Sequence, residues 1–77
     1  MKSLGEMKVG DSGRVTGFSS DIDREYRSRL LSFGITKGTL VHVDRRAPMG
    51  DPLQISVRGT QISLRAAEAK MVYISDE

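Results

Sequence analysis

The sequence predicts a mostly β domain: a small antiparallel barrel of about five short strands, with one helix inserted between the first and second strands. Three observations carry that expectation. Short runs alternate apolar and polar residues, most cleanly in LQISVR, where Leu53, Ile55 and Val57 share one face. One segment, DIDREYRSRLLSFG, switches to the helical period. Between these runs stand turn residues at short intervals, among them Gly10, Gly38 and Gly59.

The elements follow in order. Lys8-Val9-Gly10-Asp11 reads as a tight turn that leads into the first strand, GRVTGF, with Val15 and Phe18 as its apolar anchors. Gly17 interrupts the alternation and marks a bulge. Asp21 or Ser20 can cap the helix, with Asp23 and Glu25 in the acidic first turn and Arg27 and Arg29 further on, where cations suit the helix dipole. Gly34 ends it as the residue that takes a left-handed conformation, and Ile35 folds back against the last turn. Lys37-Gly38 fits a type II turn into the second strand, TLVHVDRR. Simple alternation there puts Val41, Val43 and Arg45 on one face and Leu40, His42 and Asp44 on the other. Arg58-Gly59-Thr60 turns LQISVR into QISL, RAAEAK is a short helical step, and MVYIS is a closing strand.

Open sheets of such short strands leave unpaired edges, and closure removes them. An SH3-like barrel is the economical solution. A ferredoxin-like fold needs two full helices, and RAAEA is too short to be the second. At 77 residues the chain is expected to form a single domain over residues 1–77 with a thin core.

Composition narrows the chemistry. There is no cysteine and one histidine, so thiolate sites, disulfides and multi-histidine metal centres within one chain are not expected. No metal, cofactor or catalytic residue is assigned. The formal charge of +2 is modest, and basic residues form no dense stripe of the kind that grips nucleic acid. No apolar run reaches the length of a membrane span, and the N-terminus lacks the apolar stretch of a secretory signal. GITKGT has the residue types of a phosphate loop in the wrong order and opens a strand rather than a helix. Asp21, Asp23 and Glu25 are spaced by two, like calcium ligands, without the glycine and the terminal glutamate of that loop. His42 lies in a strand with no nucleophile elbow beside it.

Two features point to a partner. On the helix, Ile22, Tyr26, Leu30 and Phe33 share a face, and Leu31 lies about 100° beyond Leu30. One stripe on a small barrel does not bury both leucines, so one belongs at a rim. Leu30 is the first choice, with Tyr26 and Arg29 beside it, and Leu31 competes with it. The second feature is RRAPMGDP (45–52), longer and richer than a hairpin requires. Pro48 and Pro52 restrict it before binding, Met49 offers an adaptable apolar tip, and Arg45, Arg46 and Asp51 supply charge. The expected partner-binding set is therefore Tyr26, Arg29, Leu30, Arg45, Arg46, Met49 and Asp51.

RLLSFGI (29–35), KGTLVHV (37–43), RAPMGDP (46–52) and ISLRAAEA (62–69), in that order and spacing, make the chain resemble the ferrous iron transport protein A (FeoA) family. Lys37 stands where the family usually has proline. The resemblance implies an SH3-like barrel in the cytoplasm and a non-enzymatic accessory role to the membrane ferrous iron transporter FeoB, whose cytosolic part carries a GTPase domain. It implies recruitment to the inner face of the membrane through that partner, with no insertion of its own, and it allows self-association. Two other readings are kept. VGDSGRVTGF is similar to the glycine-bearing motif of small RNA-binding barrels of the KOW type, although Phe18, Tyr26, Phe33 and Tyr73 leave few aromatics for base stacking. The same fold also closes metal-dependent repressors of the diphtheria toxin repressor type, which implies a regulatory role as the other alternative.

Overall fold

The computed structural model describes residues 2–76. Strands β1 (Lys2–Ser3), β2 (Ser12–Phe18), β3 (Leu40–Arg46), β4 (Leu53–Val57), β5 (Thr60–Leu64) and β6 (Val72–Asp76) form one antiparallel sheet in the order β1-β6-β2-β3-β4-β5. Helix α1 (Arg24–Ser32) lies between β2 and β3, and the single turn of α2 (Ala66–Ala69) lies between β5 and β6. The class is the expected one, mostly β with one principal helix, and the count differs by the two-residue β1.

The hydrogen-bonded ladder does not close into a full barrel: β1 and β5 are its two ends. A helical plug fills the gap. α2 follows β5 and packs on the 3-10 turn Leu4–Glu6 that follows β1. Gly5 lies at this contact, its Cβ position 3.4 Å from the Lys70 backbone nitrogen. Leu4, Leu64 and Ala69 are buried at this seam. The rest of the core comes from alternate residues of the sheet, such as Val41, Val43, Ile55 and Val57, with Leu30 and Ile35 from the helix and its exit.

Local signals predict local structure well. At the end of α1 the Gly34 N–H donates to the Leu31 carbonyl (3.0 Å) and the Ile35 N–H to the Leu30 carbonyl (3.1 Å), with Gly34 at φ +87° and Ile35 fully buried. That is a Schellman close with its hydrophobic contact. The β2–β6 ladder slips between Val15 and Gly17, where the bulge was expected. Thr36–Thr39 is a turn closed by a 3.0 Å hydrogen bond, and the Gly38 N–H donates to the Val15 carbonyl (2.7 Å), which docks the turn on β2. Arg58 and Gly59 both have positive φ, the type I′ geometry that suits a two-residue hairpin.

Two local expectations need correction. The helix cap is Asp23, not Asp21 or Ser20: its carboxylate accepts from the Glu25 N–H at 3.1 Å, and α1 begins at Arg24. The face of Arg45 is also reversed. The β3–β4 register shifts between Val43 and Arg45, so Arg45 is exposed and Arg46 stands opposite buried Leu53. A bulged residue, Asp44, breaks the two-residue period that simple alternation assumes.

Candidate interaction surfaces

Helix α1 presents two edges on either side of Leu30. Successive residues turn by about 100°, so Tyr26, Arg29 and Phe33 fall to one side of it and Arg24, Arg27 and Leu31 to the other. Leu30 itself is fully buried, whereas Leu31 is 38 % exposed. The expectation that Leu30 is the rim leucine is therefore overturned. The helix seats Leu30 straight down on the sheet, and Leu31 takes the edge.

The Tyr26–Arg29–Phe33 edge is tied to the rest of the molecule by charge. The Arg29 guanidinium donates to Glu68 Oε2 at 3.1 Å and lies 5.7 Å from the centre of the Phe33 ring. Glu68 is buried, and its other oxygen accepts from the Arg65 N–H at 3.0 Å, at the start of α2. Its charge thus meets a cation on one side and a backbone donor on the other, as a buried carboxylate requires. Arg29 is half-committed inside the fold, and Tyr26 remains exposed beside it.

From α2 the connections continue into the loop between β3 and β4. Asp51 Oδ1 accepts from the Ala66 N–H at 2.9 Å, and Arg65 approaches the other oxygen at 3.9 Å. Arg46 reaches inward. Its guanidinium donates to the carbonyls of Met7 (2.9 Å), Gly5 (3.2 Å) and Gly50 (3.2 Å), lacing the loop to the seam beneath. The loop closes on itself through the Ala47 N–H to the Pro52 carbonyl and the Gly50 N–H to the Ala47 carbonyl, and the Asp51–Pro52 peptide bond is cis. Arg46 and Asp51, expected to meet a partner, are used within the chain. Arg45 is exposed, and Met49 stands at the tip with 91 % of its surface in solvent.

The Arg24–Arg27–Leu31 edge faces a different feature. It forms one wall of a groove of about 590 Å³ whose other lining includes Phe18, Ile22 and Lys37. The docked 36–39 turn brings Lys37 to this rim. Leu31 is the rim candidate that competes with Leu30; the other residues lie outside the expected set. Arg24, Arg27 and Leu31 do carry a signal, the i, i+3, i+7 spacing of one helical edge. Phe18 and Lys37 join them only through the tertiary fold.

The outer face of the sheet holds a serine–histidine–aspartate row. Ser12 Oγ is hydrogen bonded to His42 Nδ1 at 2.7 Å, and His42 Nε2 is 3.9 Å from Asp44. Asp44 also accepts from Ser56 (2.5 Å) and Gln61 (3.3 Å). Ser12 lies within a strand rather than on a strand-to-helix elbow, and the row reads as cross-strand pairing. Among the described residues there is no group of three His, Cys, Asp or Glu side chains able to hold a metal ion, and no helix is long and apolar enough to cross a membrane.

Comparison with known proteins matches this architecture. A solved FeoA protein from Chlorobium tepidum is 31 % identical, with a TM-score of 0.90, and the match covers 97 % of this chain and 70 % of that one. FeoA from Stenotrophomonas maltophilia, solved with zinc and described as a procaryotic SH3 domain protein with a suggested role as a ferrous iron transport activating factor, is 28 % identical. It has a TM-score of 0.85 and coverage of 97 % and 91 %. A manganese-dependent transcriptional repressor shares the fold, with a TM-score of 0.90, 20 % identity and coverage of 99 % of this chain and 36 % of that one. The FeoA domain model matches residues 2–76, and the chain belongs to the FeoA family, which is linked to ferrous iron transport.

Proposed function

We propose that this chain is a cytoplasmic, non-enzymatic accessory protein of ferrous iron uptake that binds the cytosolic, GTPase-bearing part of the membrane transporter FeoB. The observation that carries the reading is Met49, 91 % exposed on a loop braced from within. Arg46 and Asp51 anchor the two ends of that loop to backbone groups, so little ordering entropy is lost on docking. A flexible thioether at the tip can adapt to an apolar pocket. Arg45 and Tyr26, both exposed, extend the contact.

The test is binding of the full chain to the immobilised cytosolic part of FeoB. Met49→Asp leaves the fold intact and weakens binding by at least about tenfold, the effect of removing an interface anchor. Equal binding by the folded variant refutes the loop as the contact. In this reading the protein does not carry the ion: it has no cysteine and one histidine. Calorimetry with Fe²⁺, and with Zn²⁺ because zinc accompanies the Stenotrophomonas relative, is expected to show no stoichiometric tight site on the monomer. Retention of RNA at physiological salt, where phosphate contacts are already weakened, would instead favour an RNA-binding barrel.

A further inference from the structure

We propose that the groove between β2 and α1 is a second docking site, separate from the β3–β4 loop, and that it takes an extended acidic segment of a partner protein with an apolar side chain seated on its floor. The floor consists of Phe18 and Ile22, both half-buried and packed on the core, and of Leu31 at its margin. The rim carries Arg24, Arg27 and Lys37; no carboxylate lines the groove, and the nearest in sequence, Asp21, Asp23 and Glu25, are exposed beside its lining residues. Among the described residues none of these three cations has an ion-pair partner. Elsewhere in the molecule Arg29 and Arg65 reach carboxylates and Arg46 is taken up by carbonyls. Three unpaired cations around a concave apolar surface focus a positive potential where water is partly excluded, and that attracts carboxylates more strongly than an open face does.

The floor also discriminates between kinds of anion. A single-stranded nucleic acid would need a bare aromatic face for its bases. The groove's lining offers one aromatic ring, Phe18, and the Arg27 guanidinium, 6.0 Å from its centre, competes for it, so successive bases have no stacking platform. A peptide needs no stacking surface. Its carboxylates meet the rim while a leucine or phenylalanine side chain covers Ile22 and Leu31.

The experiment titrates the ¹⁵N-labelled full chain with a synthetic acetylated heptapeptide, Asp-Glu-Leu-Asp-Phe-Asp-Glu, and with its Asn/Gln counterpart. Oligouridylate is the third probe. The expected result is a saturable change in the amide signals of Phe18, Ile22, Arg27, Leu31 and Lys37 with the acidic peptide, diminished by salt and absent with the uncharged one. Arg27→Ala combined with Lys37→Ala should weaken it by at least about tenfold, as should Leu31→Gln alone. Because these side chains are exposed or at a rim, the variants keep the parent spectrum, and Arg24→Ala is a further variant should one of them not. Met49→Ala leaves peptide binding unchanged, so loss of the FeoB contact at the loop and loss of this site are read separately. The proposal is overturned by no saturable change, by changes centred on the loop at 45–52, by equal binding of the uncharged peptide, or by tighter binding of oligouridylate at the same residues.

Discussion

The β3–β4 loop and the β2–α1 groove use the same side chains in opposite ways. In the loop, Arg46 turns inward to carbonyls, Asp51 accepts from a helix N–H at the surface, and the tip presents an apolar residue, Met49. In the groove, Arg24, Arg27 and Lys37 stay at the rim, and the apolar residues form the floor. Charge on a small domain is thus no guide to contact until its hydrogen bonds are traced. An arginine held by three carbonyls is scaffold, whereas one that forms no ion pair within the chain is available.

Replacing the neighbours Leu30 and Leu31 gives the largest expected contrast. Leu30→Gln removes a fully buried side chain and places an amide in the core, which is expected to cost about 3–5 kcal/mol and leave little folded protein. Leu31→Gln is expected to stay within about 1 kcal/mol of the parent, because the side chain is already partly wet. Denaturant midpoints decide the point, and similar midpoints for the two variants would erase the distinction between the helix edges.

Next in size is the arginine pair. Arg46→Ala loses three charge-assisted hydrogen bonds to backbone carbonyls and should destabilise by about 2–3 kcal/mol. Arg27→Ala should change stability by no more than about 0.5 kcal/mol. Chemical unfolding of both variants under one condition measures the difference, and equal losses would mean that Arg46 is not scaffold. Arg46→Lys is expected to recover only part of the loss, since an ammonium lacks the planar fork that serves several carbonyls.

Gly34→Val tests the frame that holds both edges of α1. A β-branched residue at φ +87° is strained, and its Cβ would stand 3.4 Å from the Arg58 side chain, so a loss of about 1–2 kcal/mol is expected by thermal or chemical melting. A parental midpoint would remove the left-handed cap from the account. The smallest effect belongs to Met49→Ala, within about 0.5 kcal/mol of the parent in stability. A larger change would show that the tip packs on something within the chain.

Much of this was legible in the sequence, and the reasons are local. Gly34 and Ile35 announced the helix close, Gly17 the bulge and Arg58-Gly59 the hairpin, because each feature depends on a few consecutive residues. The choice between Leu30 and Leu31 was not legible. A helical wheel orders residues around an axis but does not say where the sheet lies. Asp44 hid the direction of Arg46, since no glycine or proline marks that bulge. The groove was half legible: residues 24, 27 and 31 share an edge by spacing alone, but Phe18 and Lys37 reach it through the hydrogen bonds that dock the 36–39 turn on β2.

Strand order has a consequence for how the chain folds as it is made. The last strand in sequence, β6, occupies an inner position in the sheet, between β1 and β2. Strands β2 to β5 form a consecutive run in which each can pair with its predecessor as it emerges from the ribosome. β1 cannot: among the described residues its ladder is to β6, with Lys2 opposite Ile74 and Ser3 opposite Tyr73. Lys2 and Ser3 therefore wait for residues 72–76, and until then the flank of β2 that β6 will occupy has no strand beside it. A pairing between strands so far apart in sequence is entropically slow. Translation arrested before Val72 would leave the meander formed and the seam of Leu4, Leu64 and Ala69 incomplete, a state with exposed strand edges for chaperones to hold.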